Sequence, residues 1–208
     1  MAGNRTPTGR KISNLLGLAV LSYLSQQPMH PYALGRTLRE HGDARSIKYN
    51  PGSLYTVVRQ LAAGGFIAEQ ETGRDGLRPE HTVYALTEAG RAELHDWLRT
   101  LLEQPQHEYP AFVGALAFVS ALPPAEVSAL LARRLHLLAR QRAEVREVID
   151  GSLAAGVPGL FLIEEEYRLA QFDTEHAFVE RLIERIADPS TDWISVWRDH
   201  QAAINGEK

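Results

Sequence analysis

Apolar positions in residues 50–67, NPGSLYTVVRQLAAGGFI, fall at Leu54, Val57, Val58 and Leu61, the i, i+3, i+4, i+7 spacing of one helix face. Asn50 suits the N-cap and Pro51 the first turn. Gly64-Gly65 supplies the stop, because glycine readily takes the left-handed conformation that ends helices. At about 100° per residue, Thr56, Arg59 and Ala63 project away from that stripe, flanked by Ser53 and Gln60. Small and hydrogen-bonding side chains around one arginine suit a nucleic-acid groove, where bulk would clash. A surface helix that only meets water shows the same polarity, so its neighbours decide between the two.

The pattern then changes period. Ala68-Glu69-Gln70-Glu71 and His81-Thr82-Val83-Tyr84-Ala85-Leu86 alternate around a glycine- and proline-bearing connection, which predicts a β-hairpin with Arg74 and Arg78 at its tip. A helix followed at once by a basic-tipped hairpin is the layout of a winged helix-turn-helix, with the helix in the major groove and the wing on the backbone. Upstream, residues 12–26 read as a helix apolar nearly all round and residues 31–41 as a second helix. Downstream, Thr87 caps a fourth helix with a Leu94, Trp97, Leu98, Leu101 stripe.

Pro105 marks a boundary, after which the chain reads as helical. Residues 109–121 form a short apolar segment and Pro123-Pro124 restarts the chain. Over residues 125–153, Leu131, Leu135, Leu138, Val145 and Ile149 follow alternating steps of four and three, with Arg142 in the one missing place. That seam resembles a coiled-coil stripe whose polar interruption fixes register with a partner. Residues 160–186 form a second long helix, with Val179, Leu182, Ile183 and Ile186 as its stripe. Two such helices must pack on each other and on a partner. The expected fold is mainly α with a small β-hairpin. A flexible basic arm (residues 1–11) precedes a winged helix-turn-helix domain (12–104) and a helical dimerisation domain (105–208).

Composition adds limits. The 208 residues are 44% hydrophobic and 23% charged, ordinary for a packed soluble chain. The chain has no cysteine, which excludes disulfides and thiol catalysis. It shows no secretory apolar region at its start, and residues 15–24 are about half the length needed to cross a bilayer, so a cytoplasmic protein with no membrane partner is expected. The net charge of −4 hides an asymmetry. Residues 1–60 hold eight basic and two acidic side chains, a net of +6, whereas residues 105–208 hold ten basic and sixteen acidic, a net of −6. A basic front half on an acidic tail is the charge layout of a DNA-binding head on a solvated body.

Several pieces in order and at matching spacing resemble the PadR family of bacterial transcriptional regulators. They are Leu15-Leu16 with Leu18, His30-Pro31-Tyr32-Ala33-Leu34, Gly52-Ser53-Leu54-Tyr55, Gly65-Phe66-Ile67, and Tyr84-Ala85-Leu86-Thr87-Glu88-Ala89-Gly90. The match covers about the first hundred residues. Pro31 replaces a usual glycine and Thr56 a frequent proline, so no base preference is carried over from relatives. The resemblance implies a ligand-responsive repressor, a homodimer through its C-terminal helices, bound to double-stranded DNA at an inverted-repeat operator. Thr56 and Arg59 are then expected to face bases, with Ser53 and Gln60 at the flank and Lys48, Tyr55, Arg74 and Arg78 on phosphates. The resemblance also implies a flat aromatic effector between subunits, against the helix after the wing, where Trp97 stands. The rival reading is a helical adaptor whose winged-helix module binds protein; such an adaptor has no need of the basic front half.

No enzyme is expected. The chain has no nucleophile elbow, phosphate-cradling glycine loop or His-Glu-x-x-His motif. Glu164-Glu165-Glu166 and Glu175-His176 lack the paired spacing of a di-metal bundle and read as a solvated acidic face, so neither metal nor cofactor is expected. Trp97, Trp193 and Trp197 read first as packing on apolar stripes.

Overall fold

The computed structural model describes residues 14–70 and 82–205, in two compact units divided between His107 and Glu108. The first unit runs α1 (Leu15–Gln26), α2 (Pro31–Glu40), α3 (Pro51–Ala63), β1 (Ile67–Gln70), β2 (Val83–Leu86) and α4 (Glu88–Glu103). Its helices begin where the sequence supplies acceptors. Asn14 caps α1, the His30 ring accepts from the backbone N–H of Tyr32, and Thr87 accepts from Gly90. The α3 stripe of Leu54, Val57, Val58 and Leu61 is buried at 3% exposure or less. It joins Leu16, Val20 and Leu24 of α1, Leu34 and Leu38 of α2, and Leu94 and Trp97 of α4 in one core. At about 1.5–3 kcal/mol for each large apolar side chain removed from water, that core is what holds α3 in place.

β1 and β2 pair antiparallel, with Ile67 opposite Leu86 and Gln70 opposite Val83. The period-two reading missed a further bridge between Met29 and Tyr84, whose backbone N–H groups each donate to the other's carbonyl at 3.0 Å. A single bridging residue leaves no periodic trace. The junction between the hairpin and α4 is tight. The Thr87 hydroxyl lies 2.8 Å from the Gly65 carbonyl and 2.9 Å from that of Phe66. Gly90 passes so close that an added Cβ would stand 1.9 Å from the Phe66 carbonyl oxygen. Of the paired glycines ending α3, Gly65 takes the left-handed conformation (φ 75°), while Gly64 stays right-handed at φ −78°.

The second unit contains α5 (Ala111–Ala117), α6 (Pro124–Ala154), α7 (Ile163–Ala187) and α8 (Trp193–Asn205). The α6 seam packs on α7 within the chain, burying Leu131, Leu138, Val145 and Ile149 on one side and Val179 and Ile186 on the other. Arg142 therefore finds its partner intramolecularly, in an ion pair with Asp173 at 2.5 Å. This charged layer lies between two apolar clusters, one holding Leu138 and Val179 and the other Val145 and Ile149. The α8 helix was not anticipated. Trp197 on it is 8% exposed and its indole N–H donates to the Leu122 carbonyl at 2.9 Å. The acidic run is not uniformly solvated either. Glu165 is 7% exposed and pairs with Arg168 at 3.1 Å, while Glu164 and Glu166 are exposed. Among the described residues no helix is long and apolar enough to cross a membrane, and no group of His, Asp and Glu could hold a metal.

Candidate nucleic-acid interface

The candidate surface is the outer face of α3 and the connection leading into it. A capping box starts the helix: the Asn50 side chain accepts from the Ser53 N–H at 2.8 Å, and the Ser53 hydroxyl contacts the Asn50 N–H at 3.3 Å. The same hydroxyl donates to the Asn50 carbonyl at 2.8 Å. Ser53 is thus committed to fixing the first turn and is placed to orient the helix, with little hydrogen-bonding capacity left for a base.

Beyond the cap, Tyr55, Thr56, Arg59, Gln60 and Ala63 are all exposed, on the side away from the buried stripe. The Thr56 hydroxyl donates to the Gly52 carbonyl at 3.2 Å, which leaves its oxygen able to accept. Tyr55 is 47% exposed. Lys48 is exposed in the connection before α3. Arg74 and Arg78, expected at the hairpin tip, lie outside the described residues, as do Arg5, Arg10 and Lys11 of the expected arm.

The connection itself is anchored. Its short 3-10 turn, Asp43–Arg45, is tied to α1 by the Tyr23 hydroxyl, which donates to the Asp43 carboxylate and lies 3.1 Å from His41 Nδ1. Burial, reinforced by the Asp43 carboxylate, raises the Tyr23 phenol above its ordinary range, so the hydroxyl keeps its proton and stays a donor. Sequence reading missed this latch because its members lie 18 and 20 residues apart in the chain.

Trp97 stands apart from that surface. It is 4% exposed and shares the core with Leu16 and Leu94. The stripe it belongs to is only half consumed: Leu98 and Leu101 are 39% and 36% exposed and Leu102 86%.

Residues 20–96 match the transcriptional regulator PadR-like family. The negative transcriptional regulator PadR of Bacillus subtilis (strain 168) is 26% identical over 148 residues, covering 71% of this chain and 80% of that protein. Bacillus subtilis PadR in complex with operator DNA shares the fold, with a TM-score of 0.65 at 22% identity over 83% of this chain and 97% of that one. The same regulator in complex with p-coumaric acid gives a TM-score of 0.67 at 20% identity over 84% and 96% of the two chains.

Proposed function

We propose that the chain is a PadR-like transcriptional regulator, a reading that the match of residues 20–96 to that family supports, and that it is a sequence-specific, ligand-responsive repressor. It binds an inverted-repeat DNA operator as a homodimer, in the cytoplasm, and has no catalytic role. The observation that carries this reading is the α3 face. A helix pinned by a capping box and a buried stripe presents Thr56, Arg59, Gln60 and Ala63 outward, small enough at Thr56 and Ala63 for close approach to base edges. Arg59 is the base reader, able to bind guanine O6 and N7 with two N–H groups at once; Thr56 offers a methyl to thymine. Lys48 and Tyr55, with Arg74 and Arg78 of the wing segment, contact phosphates and set the register without reading sequence. Residues 12–104 act as the DNA-binding domain, residues 105–208 as the dimerisation domain and residues 1–11 as a basic arm.

The repressor sense and the effector class follow the Bacillus subtilis relative, named a negative regulator and solved with p-coumaric acid. A planar aromatic acid that bound the DNA-incompetent arrangement more tightly would release the operator. Trp97 is the proposed stacking surface, and its burial means that the effector must displace neighbouring core side chains to reach it.

The test is a gel-shift titration of the full-length protein on DNA flanking its own gene, against a random duplex, with Arg59→Ala alongside. Arg59→Ala should cost about 1–3 kcal/mol on the operator and little on random DNA. Equal loss on both would remove Arg59 from base reading.

A further inference from the structure

The α2 helix carries a second charged face that the recognition-helix argument does not use. Pro31, Leu34, Gly35 and Leu38 are buried against the core, and one exposed flank of the helix presents Tyr32, Arg36 and Arg39. At 3.6 residues per turn, those three positions fall within an arc of about 60°. Tyr32 is 65% exposed, and the Arg36 side chain is 61% exposed. Among the described residues Arg36 pairs with Glu40 at 3.6 Å, an exposed i, i+4 pair of the kind that holds weakly in water.

Arg39 is joined to the reading head. Its Nη1 donates to the Tyr49 hydroxyl at 3.2 Å, one residue before the Asn50 cap of α3. Gly35 leaves room for that hydroxyl, since a Cβ there would stand 2.9 Å from it. Charge is also segregated. Residues 31–63 carry five basic and two acidic side chains, a net of +3, and one of the acids, Asp43, is engaged by Tyr23. Residues 88–103, on α4, carry two basic and four acidic side chains, a net of −2. Field lines from the first unit therefore draw a polyanion to the α2–α3 side.

We propose that Tyr32, Arg36 and Arg39 form a phosphate clamp. They grip the backbone of the same DNA duplex that α3 reads, through charge and hydroxyl contacts that carry no sequence information. This inference rests on the proposed DNA-binding function and assigns it a second contact line on a separate helix. Arginine and tyrosine are both common donors to phosphate oxygens, and a helix standing beside the recognition helix crosses the backbone rather than the base edges. Arg39 keeps four further N–H donors while holding Tyr49, so it can tie a phosphate to the start of α3.

The test compares full-length wild type with the double variant Arg36→Ala/Arg39→Ala on a random-sequence duplex and on the operator, by fluorescence anisotropy across a salt series. Each lost phosphate contact should reduce the slope of log K against log salt by about one per protomer. Affinity should fall by a similar factor on both duplexes, leaving their ratio unchanged. Arg36→Lys/Arg39→Lys, which keeps the charges, should retain the slope. Tyr49→Phe, which removes only the hydroxyl partner, should retain it too, separating phosphate contact from packing. An unchanged slope in the alanine variant, with wild type still preferring the operator, overturns the clamp and leaves the function standing. A fall confined to the operator would also overturn it, by making these residues base readers. Wild type that binds neither duplex would instead defeat the functional reading.

Discussion

Replacing Gly90 with alanine should dismantle the junction between the hairpin and α4, at a cost that follows from the geometry. The new methyl would lie 1.9 Å from the Phe66 carbonyl oxygen, 2.9 Å from its carbon and 2.8 Å from Leu86 Cδ1. The leucine methyl can swing aside, but the carbonyl cannot. That oxygen accepts the Thr87 N–H at 3.1 Å and faces the Thr87 hydroxyl at 2.9 Å, and moving it breaks both contacts. Overpacking of this kind costs about 1–3 kcal/mol, and each hydrogen bond lost about 1 kcal/mol more, so about 3–5 kcal/mol is expected. For a unit of about 100 residues, each kcal/mol is worth roughly 4–8 °C in Tm, so the first unit should melt at least about 12 °C lower. The assay is urea and thermal unfolding followed by Trp97 fluorescence, in a Trp193→Phe/Trp197→Phe background so that only the first unit is seen. A loss below about 1 kcal/mol would show that the Phe66 carbonyl shifts freely and would refute the argument.

Asn50→Ala removes the acceptor of the capping box and should cost about 1 kcal/mol in the same unfolding assay, with operator affinity falling alongside because the first turn of α3 frays. Arg142→Leu/Asp173→Leu extends the apolar seam through the half-buried charged layer between the two clusters of the second unit; urea unfolding should show equal or greater stability, because a part-exposed ion pair contributes little net stability. Truncation after Gln104 removes the proposed dimerisation helices, and light scattering should find a monomer or an aggregate in place of a dimer. If planar aromatic acids release the operator with unchanged potency from Trp97→Phe and Trp97→Ala, the effector site is elsewhere.

Sequence alone made the first unit readable because each of its elements carries a local signal. Asn50-Pro51 starts α3, Leu54 through Leu61 turns one face inward, and Thr87 opens α4; each signal spans eight residues or fewer. What escaped was built from separated residues. Tyr23 on α1 reaches Asp43 past the whole of α2, and Met29 adds a lone bridge to Tyr84. Arg142 shows as a gap in the α6 seam, but its ion-pair partner Asp173 sits on the next long helix, beyond the reach of a spacing pattern. Glu165 was grouped with its solvated neighbours, although helix rotation carries it inward beside Arg168. The α8 helix carries no clean stripe: Trp193, Ile194 and Trp197 face the core while Val196 is 58% exposed, so its apolar pattern is ambiguous in sequence. On the outer face of α3, the exposure of Thr56, Arg59 and Gln60 agrees with their helical phase. The commitment of Ser53 to the cap depends on rotamer and was not legible from spacing.

Selection from a random duplex pool by the full-length protein tests the central claim most directly, because it presumes no operator. The account predicts enrichment of an inverted repeat whose half-sites lie about one helical turn apart, near 34–36 Å or a multiple of it. The Arg59→Ala protein, put through the same selection, should lose the preference at one position in each half-site while still retaining DNA at low salt. A wild-type protein that retains DNA but enriches no sequence would contradict the account. The outer face of α3 would then be a solvated surface rather than a reader of bases.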